Sequence, residues 1–401
     1  MSASMTRLMT HRRILLLQGK MGTFFCRFAT FLMGQGKQVH KINFNAGDAF
    51  FYCHKSEMTN YRGQVSEFYE FLQELIANKQ IDAVVCFNDC RPYHAVASEV
   101  CTALGVSFFV FEEGYLRPDY ITLEEYGING YSRLDPALID TLEKANDKPA
   151  YTANRFWRLC VSSIIYYAVV FLGRKSYPHY DHYRGLSIWQ EMVAWLIAPV
   201  RKALRWLPDK LLQRRLLQKQ GQFYLVSLQV HNDSQITHHS DYADVKDFIA
   251  EVMTSFAKHA PQGTKLLFKH HPLDRGHRDY KDLIARLSVQ LGVNGRVFYG
   301  CDMHLPRLMR ASIGMITINS TTGLQSIYHQ KPTKIMGRAL YDISELTDQK
   351  PLDEFWSNPT PPNREFYLKF REYLIEQTQL NGSFYGTSPW KLAYQQPHSK
   401  R

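Results

Sequence analysis

Several polar residues stand where apolar runs end, and their types suit chemistry on a phosphate-bearing substrate. In KLLFKHHPLD, Lys269 and His271 are two positions apart. KLLF reads as a strand, so alternation puts Lys269 and His271 on one face and His270 on the other, and Pro272 ends the strand. Neighbouring histidines on opposite faces do not share one ion, so no metal is expected here. A lysine and an imidazole at a strand end form a phosphate-binding pair. NSTTG (319–323) follows the apolar run IGMITIN. Ser320, Thr321 and Thr322 there bring hydroxyls and N–H groups to a helix start, as phosphate ligands or as ordinary caps.

Carboxylates stand at two other run ends. SFFVF leads into Glu112, Glu113 and Gly114. Alternation turns one glutamate inward, and a carboxyl at the rim of a buried strand tends to a raised pKa, which suits a general acid or base. SLQVHNDSQI places Asp233 after another strand, either as a nucleophile for glycosyl transfer with retention or as a helix cap. FNDCRPYH carries Asp89, Arg91 and His94 past a third strand. They would meet a polar sugar or carboxylate, or Asp89 and Arg91 would fasten a loop. GKMGTFF (19–25) puts Gly19 and Gly22 between a strand and a helix, where a ligand can approach the backbone.

These positions need a scaffold of parallel strands. The first ~135 residues alternate short apolar runs (ILLLQG, DAVVCFN, VSFFVF) with amphipathic stretches such as EFYEFLQELIANKQ, the pattern of an α/β, doubly wound sheet. Residues 221–350 repeat it with QFYLVSLQV, KLLF, GRVFYG, IGMITIN and PTKIMG. Four segments follow: 1–150 as an acceptor-side domain, 151–220 as a basic aromatic helical segment, 221–350 as a nucleotide-sugar domain, and 351–401 as a tail. The tail's one helix, REFYLKFREYLIEQTQ, would pack back on the first domain.

Composition bounds the partners. The 401 residues carry a formal charge of +11, which suits anionic partners. Residues 151–220 hold twelve lysines and arginines against three acids. There Trp189, Trp195 and Trp206 lie among aliphatic and basic residues, a composition for a membrane interface or for a helical insertion with a solvated basic face. Charge packed with Trp and Leu, with no known nucleic-acid module, excludes a nucleic-acid partner. The longest apolar run, VSSIIYYAVVFLG, is too short to span a bilayer, and the N-terminal apolar run is too short for a signal peptide. Seven cysteines with no CxxC read as free thiols in a reducing compartment, with no disulfide framework.

Taken in order, LLLQGKMGTFF, KINFNAGDAFFY, FNDCRPYHAVA, FEEGYLRPDYITLE, LQVHNDSQI, FKHHP and INSTTGLQS resemble the capsule polysaccharide synthesis and export family. The likeness covers most of the chain except the basic insertion and the tail. It implies a GT-B-like pair of Rossmann-type domains facing a cleft. The implied enzyme is a retaining β-Kdo transferase (Kdo, 3-deoxy-manno-octulosonic acid). Its donor would be CMP-Kdo, with no cofactor, and its acceptor a phosphatidylglycerol-type lipid. It would work in the cytoplasm, peripheral on anionic lipids of the inner membrane, beside other capsule assembly proteins. By resemblance Gln229, Asp233 and Ser234 match a QxxxDS element, making Asp233 the nucleophile. Glu112 is the better acid/base of the acidic pair. Lys269, His271 and Pro272 match KxHP, and residues 320–322 grip the donor phosphate. Arg91 or Arg117 would hold the Kdo carboxylate. The competing reading is a non-catalytic scaffold of the capsule assembly complex, which has no need for Asp233, Lys269 and His271 at strand ends.

Overall fold

The computed structural model describes residues 1–141, 149–153, 155–180, 188–218, 221–232 and 234–395. Two compact units emerge, one formed by Met1–Gly185 with Phe370–Arg401, the other by Leu186–Lys369. The basic segment is divided between them: helix Phe156–Leu172 belongs to the first unit and the long helix Ile188–Gln218 to the second.

The first unit is built on a seven-stranded sheet of order β12-β6-β5-β4-β1-β2-β3. Its strands are β1 (Arg13–Leu16), β2 (Gln38–Asn43), β3 (Met58–Asn60), β4 (Ala83–Phe87), β5 (Ser107–Glu113), β6 (Tyr120–Glu125) and β12 (Gln379–Asn381). Strands β1 to β5 pair in parallel. Helices cover both faces because each central strand is buried throughout, as in AVVCF. One core face packs Phe24, Phe28 and Leu32 on Leu16, Val85 and Phe111. The other packs Phe68, Leu72 and Val100 on Leu15, Val84 and Val110.

The purely parallel sheet expected for this half needs one correction. After Gly114 the chain turns back, and β6 pairs antiparallel with β5, Glu112 lying opposite Thr122. A Cβ on Gly114 would sit 2.1 Å from the Tyr120 carbonyl oxygen, so only glycine allows that return. The tail supplies β12, antiparallel to β6, with Gln379 opposite Thr122.

A second correction concerns the cysteines. Cys26, in the first turn of helix Phe24–Gly34, is disulfide-bonded to Cys53, just past helix Ala46–Phe51. Their Cα atoms are 5.5 Å apart, within bridging reach. The two lie 27 residues apart in sequence, so only the packing of those helices reveals the pair. The other five are not disulfide-bonded.

The second unit has five strands, all parallel, in the order β11-β10-β7-β8-β9. They are β7 (Phe223–Ser227), β8 (Lys265–Lys269), β9 (Val297–Gly300), β10 (Met315–Thr317) and β11 (Thr333–Ile335). Helix Val245–His259 packs Phe248, Val252 and Phe256 on one face with Trp356. Two doubly wound units in one chain are the α/β, GT-B-like class expected from the sequence.

In each unit the strand order reverses once. In the first the chain runs outward from β1 to β2 and β3, then returns to β4 on the other side of β1. In the second it runs from β7 to β8 and β9, then returns to β10 beside β7. Open α/β sheets bind ligands beyond the strand C-termini at such switch points. The β1 and β4 ends carry residues 18–22 and 88–91. The β7 and β10 ends carry residues 228–234 and 318–322.

Candidate active site

At the first switch point the backbone is shaped for close approach. Gly22 has φ +116°, open to glycine. A Cβ on Gly19 would lie 2.7 Å from the Phe25 ring. Asn88 follows β4 with φ +64°, and its carbonyl accepts a 2.6 Å hydrogen bond from His94 Nδ1. His94 is fully buried, which lowers its pKa to about 3, with Arg91 adding to the effect. His94 is therefore a neutral imidazole that holds the Asn88 turn.

That turn aims the Asn88 amide at Glu112, Nδ2 donating to Oε2 at 3.2 Å. Burial is the main cause raising the Glu112 pKa; Lys20, the Asn88 hydrogen bond, Arg117 and Arg91 oppose it. Glu112 Oε1 also accepts from the Glu113 N–H at 2.8 Å. Glu113 instead pairs with Lys20, whose ammonium lies 5.0 Å from the Phe87 ring centre. The acidic pair thus splits into a desolvated carboxyl and an ion-paired one, and Glu112 has the environment of a general acid/base.

Asp89 is buried, which raises its pKa, and its Oδ2 accepts from the Ile128 N–H at 3.0 Å. Arg91 is buried, stacks 5.3 Å over Phe87, and donates from Nη1 to the Gly19 carbonyl at 3.3 Å. Asp89, Arg91 and His94 therefore knit the β1 and β4 loops. Arg117 donates to the Gly114 carbonyl at 3.2 Å and lines a groove with Glu113.

The second switch point is made of amides and hydroxyls. Gln229 and Asn319 exchange two hydrogen bonds: Gln229 Nε2 to Asn319 Oδ1 at 3.0 Å, and the Asn319 N–H to Gln229 Oε1 at 3.2 Å. This clamp joins the β7 and β10 ends. Below it Thr322 Oγ1 donates to Ser227 Oγ at 3.3 Å, and Ser320 Oγ accepts from the Thr322 N–H at 3.3 Å. Ser320, Thr321 and Thr322 are half-buried. Asp233 lies outside the described residues. Ser234 opens helix Ser234–His239, and its side chain is likewise outside the description.

At the β8 end Lys269 and His270 are both buried, and His271 lies past the strand. Lys269 is buried and donates to the carbonyls of Cys301 (3.1 Å) and His270 (3.4 Å). Burial lowers its pKa. His270 sits between the Tyr280 and Tyr299 rings, and burial takes it to about pKa 4. His271 Nδ1 accepts from the Leu273 N–H at 3.2 Å, capping the short turn Pro272–Asp274. The ring proton of neutral His271 is then on Nε2, a donor suited to an anionic oxygen.

A model of the family described as capsule polysaccharide biosynthesis protein matches residues 82–385. The chain belongs to that family. It is 42% identical over 385 residues to the capsule polysaccharide modification protein LipB of Neisseria meningitidis, covering 93% of this chain and 91% of that protein. It is 41% identical over 387 residues to the capsule polysaccharide export protein KpsS of Escherichia coli, covering 95% and 99%. Among solved structures it is similar to KpsC, the beta Kdo 2,7 transferase of Thermosulfurimonas dismutans. That likeness has a TM-score of 0.44 and 13% identity, covering 94% and 97% of the two chains.

Three features of this capsule-family chain escape a reading of the sequence. Glu124 on β6 is fully enclosed, accepts from Tyr115 Oη at 2.6 Å and Ser132 Oγ at 2.5 Å, and is raised by burial to about 7. Lys41 is buried near Asp48, burial lowering it to about 8 against the pull of that carboxylate. His231, beside the clamp, shares a 2.5 Å hydrogen bond through Nδ1 with Oδ1 of the wholly buried Asp274. Only the last had a signal: HND at a strand end and PLD after KxHP both fall on one sheet edge.

Proposed function

We propose that the protein is a glycosyltransferase that moves Kdo from CMP-Kdo to a phosphatidylglycerol-type lipid with retention, beginning the poly-Kdo linker of a capsular polysaccharide. The observation that carries the reading is Glu112, a carboxyl desolvated at the first switch point and held by Asn88. Family membership supports a role in capsule assembly. The reaction needs no cofactor beyond the nucleotide-sugar donor.

Glu112 deprotonates the incoming lipid hydroxyl. Asp233 attacks the anomeric carbon, the bond to the CMP phosphate breaks, and the electron pair leaves with the phosphate; the deprotonated lipid oxygen then attacks the same carbon, and the bond to Asp233 breaks with its electron pair returning to the carboxylate. His271 and residues 320–322 stabilise the departing charge. Gln229 and Lys269 act by positioning, since both are committed within the sheet edge. Arg117 holds the sugar carboxylate; Arg91 supports the loop beneath. The protein acts at the cytoplasmic face of the inner membrane with other capsule assembly proteins.

The test is a transfer assay with purified protein, CMP-Kdo and a short-chain phosphatidylglycerol, reading lipid product and free CMP. Product from the wild type, a Kdo adduct on Asp233 by mass spectrometry, and loss of both in Asp233→Ala are expected. Normal product from Asp233→Ala would remove the assigned nucleophile, and no product from the wild type would sink the transfer.

A further inference from the structure

Helix Phe156–Leu172 is pinned by its inner face and bare on its outer one. Tyr166 Oη donates to Asp48 Oδ1 at 3.0 Å and accepts from Asn45 Nδ2 at 2.7 Å. A Cβ on Gly47 would meet the Tyr166 ring at 2.7 Å, so the helix lies close on the backbone beneath. Along its other face the helix is apolar and open: Trp157 is 56% exposed, Ile164 62% and Leu172 80%. Exposed cations lie at both ends of this stripe, Arg155 and Arg158 around Trp157, Arg174 and Lys175 after Leu172. No described helix is long and apolar enough to cross a membrane.

Beside the helix's first turns lies a cleft of about 260 Å³, lined by Thr23, Arg27, Trp157, Arg158, Phe384 and Tyr385. Two guanidinium groups meet there. Arg27 donates to Ser388 Oγ at 2.7 Å and to the Phe384 carbonyl at 2.8 Å; Arg158 donates to the Tyr385 carbonyl at 3.3 Å. Among the described residues neither has a carboxylate at ion-pair distance. Their mutual repulsion, after burial, lowers the Arg27 pKa. Two like charges with neutral partners only are compensated best by an external anion. Phe384 and Tyr385 also wall the groove that holds Glu113 and Arg117.

We propose that this cleft seats the phosphate of an anionic membrane phospholipid, with the outward stripe of the helix lying in the bilayer interface. The charge of the cleft selects an anion, and the apolar stripe beside it selects an amphiphile over a soluble phosphate. The headgroup then sits one aromatic wall away from the Glu113 and Arg117 groove. The inference rests on the lipid-acceptor reading for its choice of occupant, but it is tested by binding rather than by transfer.

The full chain is floated with phosphatidylcholine vesicles, with and without phosphatidylglycerol. The wild type is expected to bind the mixed vesicles at least tenfold more tightly than the neutral ones. Ile164→Asp and Arg158→Glu, both at the surface, each lose about tenfold. Val289→Asp, an equally exposed apolar site in the other unit (69%), keeps wild-type binding. Circular dichroism melts matching the wild type confirm that the variants fold. Wild-type binding by both variants would overturn the site, as would failure of the wild type to bind mixed vesicles. Displacement of the protein by millimolar sn-glycerol 3-phosphate would also overturn it, because the stripe would then add nothing. CMP release with a soluble acceptor is read in parallel. Its absence counts against the transfer reading and leaves the lipid site standing; in Ile164→Asp and Arg158→Glu, vesicle binding lost with CMP release intact supports the site.

Discussion

At the switch point of the first unit the described side chains are mostly ionisable; at that of the second the two strand ends are joined by amides and hydroxyls, with the His231–Asp274 pair beside them. The topology is the same, a strand order that reverses once beside the first strand. What differs is how each edge handles charge. Glu112 and Asp89 are carboxyls pushed up by burial, beside Lys20 and Arg91. The Gln229–Asn319 clamp and the Thr322–Ser227 contact are neutral and mutually satisfied. The first edge is equipped to move a proton. The clamp and hydroxyls of the second are equipped to offer an anion neutral hydrogen-bond donors. One topology therefore ends in two different kinds of edge, because the loops and not the sheet decide the chemistry.

The largest expected effect tests the first half of that division. Glu112→Gln keeps the Asn88 contact and removes the proton acceptor, so product formation should fall by roughly 10²–10⁴-fold. In the wild type kcat/KM should rise with pH as Glu112 loses its proton, with a midpoint above the ordinary carboxylate range, since burial raises its pKa. Donor affinity, measured by calorimetry with CMP, should stay at the wild-type value. A large loss of CMP affinity in Glu112→Gln would break the division between the two edges.

Next in size is a stability effect confined to the first unit. Glu124 is raised from 4.5 to about 7, so the folded state holds its proton more tightly than the unfolded chain. The stability from the protonated form is complete below pH 4.5 and is lost as pH rises through 7. That loss amounts to roughly 3 kcal/mol at pH 8. Denaturant unfolding of Glu124→Gln should lack most of this slope while the wild type shows it. Equal slopes in the two proteins would show that Glu124 is not the group that titrates.

The sequence carried some of this and hid the rest for definite reasons. Glu112 was legible because four apolar residues in a row precede it and a glycine follows the acidic pair. Glu124 was not, because its burial depends on β6 turning back and on Gln379 arriving from the tail, 257 residues away, to donate to Thr122. Alternation marks Lys269 as a strand-end residue, but the carbonyl of Cys301 that occupies its ammonium lies in another loop. His231 and Asp274 are 43 residues apart, and Cys26 and Cys53 are 27 apart. In each case the local pattern sets the element and the direction of a side chain. The partner comes from a segment distant in sequence that the tertiary fold brings alongside, and no periodicity records it.

The smallest effect probes the second edge and sharpens the contrast. Gln229→Ala removes both clamp bonds and leaves the Asn319 N–H and side-chain oxygen without those partners, both on a buried residue. A cost of about 1–3 kcal/mol in stability is expected, read by thermal or denaturant unfolding. Because the clamp fixes the start of the 320–322 turn, CMP affinity should weaken by about tenfold. The rate at saturating donor should change little, and the pH midpoint set by Glu112 should not move. A shift of that midpoint would mean that the two edges are electrostatically coupled. An unchanged midpoint with weakened CMP binding would place proton transfer and anion binding on separate edges, each adjustable without the other.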